Sequence, residues 1–289
     1  MNKVPFFSII IPCLNEEKDL PVLLKDLSQQ TLQDFEVIVV DGESKDKTVT
    51  KAKGFDKKLP SLTILTSKIR NVSVQRNMGG EAGRGKYLVF NDADNRLPKH
   101  FLEGVKYHLD VKPADMFTTW CLPDSKRQAD KTIATYLNLL IETGQLVGLP
   151  GALGAMIGCL KTKFGKYTRF DPNIGFAEDA EFVREGHRNG CSFSVFREPR
   201  YVYSLRRFRK MGTLRFIQKH AVLYTKLLTN QKIDQKKEYP MGGAFHNQKE
   251  GSAPEFFRNL QAIFVKKELK KKIVDQLRAL LSLEEAEGI

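Results

Sequence analysis

The sequence predicts an α/β protein: a doubly wound, mostly parallel sheet flanked by helices, with a helical C-terminal appendage. Three observations carry this. Short, continuous apolar and β-branched runs recur along the chain, as in strands buried on both faces. Segments with helical spacing alternate with them, as the crossovers of a parallel sheet require. Polar residues gather where the runs end, at the edge where open α/β sheets bind ligands.

The elements follow in order. Phe6 to Ile11, bounded by Pro12, is a buried strand, and Leu20, Leu23, Leu24 and Leu27 then fall at helical spacing. Glu16, Glu17 and Asp19 stand near that helix's N-terminus, where carboxylates suit the dipole. Phe35 to Val40 repeats the strand pattern and ends at Asp41, and Gly42, Glu43 and Ser44 form a polar turn before a Lys-rich helical segment. Leu62 to Leu65 is a third strand, Val72 to Ala82 a helix, and Tyr87 to Phe90 a fourth strand ending at Asn91 and Asp92.

Asp115 to Trp120 predicts another strand, Glu178 to Asn189 a helix, and Ser192 to Phe196 with Tyr201 to Ser204 two late strands. Ile133 to Leu160 is the most apolar stretch. Glu142, Gln145, Gly144, Gly148, Pro150, Gly151 and Gly154 interrupt it, so the expectation is a buried helix followed by a glycine-rich loop rather than a membrane span. Beyond Gly212, Leu214, Ile217, Val222, Leu223 and Leu227 continue a helical pattern, and Phe256 to Leu283 forms a second one. The expected division is a main domain over 1–212 and an appendage over 213–289.

The 289 residues can bury one large core, and 41% hydrophobic with 28% charged residues excludes a disordered chain. Lys plus Arg number 47 against 34 Asp plus Glu, a net charge of +13 that favours an anionic partner. Cys13, Cys121, Cys159 and Cys191 form no C-x-x-C pair, so neither a zinc site nor a disulfide framework is expected. With no signal-peptide pattern at Met1 to Phe7, a cytoplasmic protein is expected.

Chemistry concentrates at the strand ends. In Asp92-Ala93-Asp94, two carboxylates spaced i, i+2 beyond a buried strand can face a divalent cation bound to phosphate oxygens. Taken alone, the same pattern also serves as a capped turn before a helix near Pro98. Asp41 ends a second strand, where a carboxylate can accept hydrogen bonds from ribose hydroxyls or a base N–H. Its other reading is a helix cap. Glu178-Asp179 opens a helix, where an acidic pair also suits the dipole.

Five ordered segments decide between these readings: S8-I-I-I-P-C-L-N-E-E17, F35-E-V-I-V-V-D-G-E-S-K-D-K-T48, Q75-R-N-M-G-G-E-A-G-R-G-K-Y-L-V-F-N-D-A-D94, F176-A-E-D-A-E-F182 and S204-L-R-R-F-R-K-M-G212. Together they resemble the family 2 glycosyltransferases of the GT-A nucleotide-sugar-transferase fold, over residues 4 to 212 in unbroken order.

The resemblance implies an inverting sugar transfer from a nucleotide-diphosphate donor, a UDP-sugar first, to an acceptor hydroxyl in glycan, glycolipid or envelope polysaccharide synthesis. Pro12, Asn15 and Glu16 match the nucleotide-contacting turn and Asp41 the carboxylate that holds the nucleoside. Arg76 matches a basic residue placed to meet donor phosphate or base. Asp92 matches the donor-sugar or ribose side of the Asp-x-Asp motif and Asp94 its metal ligand, with Asp92 beside it at the ion, for Mn2+ or Mg2+. Asp179, beside Glu178, matches the catalytic base, and Arg206 and Arg207 a basic cluster suited to the diphosphate. Leu14 departs from the pattern where many members carry an aromatic residue, and no late histidine is assigned as a third metal ligand. His220 and His246 are the substitutes considered.

Rival classes lack their signatures. The turn Pro12-Cys13-Leu14-Asn15-Glu16 is neither G-x-G-x-x-G nor the Gly-rich loop of a nucleotidyltransferase. No nucleic-acid-reading motif accompanies the charge. Lys266, Lys267, Lys270, Lys271 and Lys272 fit an anionic membrane surface instead, holding the enzyme near a lipid-linked acceptor on the cytoplasmic membrane face. A non-catalytic scaffold would have no reason to keep Asp41, Asp92, Asp94 and Asp179 together.

Overall fold

A computed structural model of the chain describes residues 4–146, 148–175, 177–206 and Arg209. The appendage, Arg207, His220, His246 and the Lys266–Lys272 stretch lie outside the described residues. Thirteen elements alternate, beginning β1 (Phe7–Cys13), α1 (Leu20–Ser28), β2 (Phe35–Asp41), α2 (Thr48–Lys53), β3 (Leu62–Thr66), α3 (Val72–Ala82) and β4 (Tyr87–Asn91). After them come α4 (Phe101–Val111), β5 (Met116–Pro123), α5 (Gln128–Leu146), β6 (Met156–Leu160), α6 (Glu178–Arg188) and β7 (Phe193–Tyr203).

The seven strands form one sheet in the order β3-β2-β1-β4-β6-β5-β7. β1 pairs in parallel with β2 and β4, and β2 with β3, so the first four strands point their carboxyl ends the same way. β6 runs antiparallel between β4 and β5, while β5 and β7 pair in parallel. β1, β2 and β4 are buried along their full length, as their unbroken apolar runs require.

Two cores sandwich the sheet. One packs Ile9, Ile11, Val37 and Val39 under Leu20, Leu23, Leu24 and Leu27 of α1. The other packs Ile10, Ile38, Val40 and Phe90 with Phe170 and Phe182. The Phe170 and Phe182 rings stack 4.1 Å apart and Phe90 meets Phe170 edge-on at 4.9 Å, which ties α6 to the sheet.

The segment after α5 differs from expectation. The glycine-rich loop gives way at Met156 to β6, a central strand. Gly158 disguised it: the Phe117 ring of β5 crosses the strand there, and a Cβ at Gly158 would stand 2.0 Å from it, so the strand carries a glycine where a β-branched residue would signal its type. The two expected late strands are one, β7, whose pairing with β5 shifts register between Thr119 and Cys121. α4 follows Pro98, beyond the Asp92–Asp94 turn.

Candidate active site

The carboxyl ends of β1, β2 and β4 bring three turns together. Asp41 ends β2, is 3% exposed, and accepts from Ser44 N–H at 3.0 Å. Asn15 adopts the left-handed conformation at φ 56° and bridges to the β2 turn, its N–H donating to Ser44 Oγ (2.8 Å) and its Oδ1 accepting from Lys45 N–H (2.9 Å). Glu16 N–H donates to Thr48 Oγ1 at 2.8 Å. Pro12 pairs in register with Val40, so the two turns leave the sheet side by side. Gln75 of α3 donates to the carbonyls of Cys13 and Val40 and closes the gap between the same strands.

The Asp92–Asp94 turn follows β4. Asp92 N–H donates to Ala155 O at 3.0 Å, and Asn95 Nδ2 donates to the same carbonyl, so the start of β6 fixes the turn's position. Burial first, and then the Asp92 charge, raises the Asp94 carboxyl to about 6. Burial likewise raises Glu16 to about 7, even though Arg206 bonds to it. The Arg206 guanidinium sits among three carboxylates: Nε is 3.0 Å from Asp94 Oδ2, Nη2 is 2.8 Å from Glu16 Oε1, and Nη1 is 2.7 Å from Asp19 Oδ2.

The acidic pair opens α6. Ala177, its N-cap, is left-handed at φ 58°, a strained conformation for alanine of the kind that clusters at functional sites. Glu43, at φ 60°, is strained in the same way on the β2 turn. Asp179 Oδ1 accepts from Ala180 N–H at 2.7 Å and Oδ2 from Gly154 N–H. Burial, then the charge of Glu178, raises the Asp179 carboxyl to about 7. Gly154 is required here: a Cβ would stand 2.9 Å from both Arg76 Nη2 and Asp179 Oδ2.

Arg76, 2% exposed, joins these parts. Its Nη1 donates to Glu178 Oε1 (3.0 Å) and its Nη2 to Asp92 Oδ1 (3.1 Å) and Gly154 O (3.0 Å), with the guanidinium 5.1 Å from the centre of the Phe170 ring. Asp19 and Gly154 are the members of this cluster that sequence reasoning did not single out. Asp19 was visible only as a helix-start acid, and Gly154 only as one glycine among several.

The donor set suits a divalent cation shared with phosphate oxygens. Two carboxylates lie on one turn, and burial, then the Asp92 charge, raises the Asp94 carboxyl although Arg206 lies 3.0 Å away. Among the described residues no group of three or more His, Cys, Asp or Glu could hold a metal by itself.

The family model for glycosyl transferase family 2 matches residues 8–160. An uncharacterized glycosyltransferase, EpsJ of Bacillus subtilis (strain 168), is 24% identical over 215 residues, 69% of this chain, and this chain spans 61% of that relative's length. Among solved structures, the mannosyltransferase PcManGT from Pyrobaculum calidifontis in complex with GDP-Man and Mn2+ is similar at a TM-score of 0.63 and 18% identity, covering 97% of this chain and 76% of that one. Residues 1–349 of S. aureus TarS in complex with UDP-GlcNAc follow at 0.58 and 21%, covering 80% and 69%. At these identities the likeness is one of fold, and the fold is the GT-A type.

Proposed function

The chain belongs to glycosyl transferase family 2, and from that premise we propose that it transfers a sugar, with inversion, from a nucleotide-diphosphate donor to an acceptor hydroxyl. The observation that carries the reading is the meeting of two acidic turns, Asp92–Asp94 and Glu178-Asp179, on one buried arginine, Arg76, with Asp41 at the carboxyl end of a strand of the same sheet. TarS in complex with UDP-GlcNAc and PcManGT in complex with GDP-Man support the nucleotide-sugar donor class, and uridine and guanosine diphosphates are the first to test.

Asp41 and the Pro12–Glu16 turn hold the nucleoside. Asp92 and Asp94 would hold a divalent ion, Mn2+ or Mg2+, which when bound supplies positive charge to the leaving diphosphate. Arg206 leaves its three carboxylates to meet that diphosphate, as Arg207 does from outside the described residues. Asp179 takes the acceptor hydroxyl's proton while the acceptor oxygen bonds to the anomeric carbon and the bond from that carbon to the diphosphate oxygen breaks on the opposite face. In this single displacement the acceptor enters opposite the leaving diphosphate, so the anomeric configuration inverts. Gly154 N–H and Ala180 N–H orient the base, and Glu178, held by Arg76, positions the first turn of α6.

The test is a thermal-shift screen of nucleoside diphosphates with and without Mn2+ or Mg2+, on wild type and Asp94→Ala. A ligand that binds only the folded state stabilises it by about 2.7 kcal/mol at a hundredfold excess over Kd. A metal-dependent rise with one nucleotide, lost in the variant, supports the reading; no rise with any nucleotide sinks it.

A further inference from the structure

α5 is apolar on both sides. Ile133, Ala134, Leu137 and Ile141 are buried against the sheet. The opposite side of a surface helix is ordinarily polar. Here Tyr136, Leu140 and Leu146, with Leu149 just beyond, stand 50%, 41%, 59% and 55% exposed. Tyr136, Leu139, Leu140, Thr143 and Leu146 fall within an arc of roughly 120° at the α-helical turn angle, and none is charged. An exposed apolar strip of this kind marks an interaction surface.

The charges around the strip show what covers it. Both acids of α5 are taken up: Asp130 is buried and bonded by Ser125 and Arg209, and Glu142 is paired with Arg197. Exposed cations, Lys126, Arg127 and Lys131, gather at the helix's N-terminal end. An apolar strip with cations beside it and no outward carboxylate matches a helix lying in the interface of an anionic bilayer. A second copy of a chain with net charge +13 would bring like charge to the same place. No helix of the described residues is long and apolar enough to cross a membrane.

We propose that the outward face of α5 docks on an anionic lipid surface and presents a lipid-borne acceptor hydroxyl to Asp179, the second half resting on the transferase reading. Two links join face and base. The connection from α5 to β6 carries Gly154, whose N–H holds Asp179. On its inner side α5 packs Ile133 and Leu137 against Leu205, next to Arg206.

The experiment is co-sedimentation of the full chain with vesicles of phosphatidylcholine, with and without an anionic phosphatidylglycerol fraction. Wild type binds the anionic vesicles selectively. Lys126→Ser/Arg127→Ser/Lys131→Ser weakens binding by roughly a hundredfold, since each cation near such a surface contributes a similar increment. Tyr136→Ser/Leu140→Ser/Leu146→Ser weakens it at least as much on burial grounds. Uridine diphosphate with Mn2+ shifts the melting temperature of both variants as it does wild type. Wild type that ignores the anionic fraction overturns the proposal. So does an apolar variant that keeps vesicle binding but melts earlier or dissociates a dimer, because the strip is then covered by the chain itself or by a second copy. Absence of a shift in wild type with any nucleoside diphosphate, vesicle binding intact, overturns the transferase reading and leaves the docking face standing.

Discussion

Arg76 Nη1 lies 3.0 Å from Glu178 Oε1, so a residue of α3 holds the first turn of α6 in place from inside the protein. The same guanidinium reaches Asp92 and Gly154, and its place is that of a buried clamp with three acceptors already engaged. Arg76→Ala leaves Glu178, whose side chain is 12% exposed, without its partner. Breaking such a buried pair costs about 3–5 kcal/mol, and urea denaturation reads it. Arg76→Lys keeps the charge but loses the fork, so stability is largely recovered while kcat stays low, because one ammonium cannot span acceptors on three segments. Full kcat in the lysine variant would show that charge alone suffices.

Asp179→Asn should lower kcat by about 10²–10⁴ while leaving nucleotide binding intact, as expected for loss of a general base. In wild type the base has to be deprotonated to act, and its carboxyl is raised to about 7. The kcat profile therefore climbs through pH 7 and flattens above it. A profile flat from pH 5 to 8 in wild type removes Asp179 from the role.

Arg206 holds the Asp94 carboxylate that the proposed divalent cation would need. The arginine's Nε lies 3.0 Å from that carboxylate and its other nitrogens hold Glu16 and Asp19. Arg206→Ala should strengthen Mn2+ binding measured without nucleotide and weaken nucleoside-diphosphate binding measured with Mn2+. Calorimetry separates the two, and parallel loss of both would mean that Arg206 only props the turn.

The parallel half of the sheet and the turns after β2 and β4 were legible in the sequence, because β1, β2 and β4 are buried on both faces and write themselves as mainly apolar runs, the last two ending in Asp41 and Asn91. β6 was not legible. A strand that needs glycine where Phe117 crosses it looks like loop, and its antiparallel direction is set by neighbours remote in sequence. The partners of Arg76 were equally hidden: the motif places it near the donor, but only the packing of α3 under the β6 and α6 turns shows which acceptors it meets. The sequence left open whether residues 133–160 form a buried helix or touch a membrane surface, because an apolar run carries no sign of which side the sheet covers.

Gly154→Ala should act on the base and on little else. Its Cβ would stand 2.9 Å from both Arg76 Nη2 and Asp179 Oδ2, so the carboxylate has to swing off its backbone donor. The expected result is a kcat drop of tenfold or more with donor KM unchanged; a matching rise in donor KM would mean that the whole site had moved.

Stability should respond to pH in a direction opposite to ordinary acid unfolding. Glu16, Asp94 and Asp179 hold protons in the folded chain up to about 7, 6 and 7, whereas unfolded carboxyls release them near 4. Between these limits the folded state binds more protons, so the stability they contribute is complete below the unfolded value and is lost as pH rises through the folded one. Glu36, Asp46 and Asp124 are shifted the other way, and their contribution is lost only as pH falls through their lowered values. The metal-free protein should therefore melt at a higher temperature at pH 5.5 than at pH 8. Asp179→Asn should flatten part of that slope, because the amide has no proton to lose. Saturating Mn2+ with nucleoside diphosphate should lessen it, since bound cation favours the ionised carboxylate of Asp94. A melting temperature that rises steadily from pH 5.5 to 8 without metal would place these three carboxyls in ordinary solvent and remove the desolvated site on which the chemistry depends.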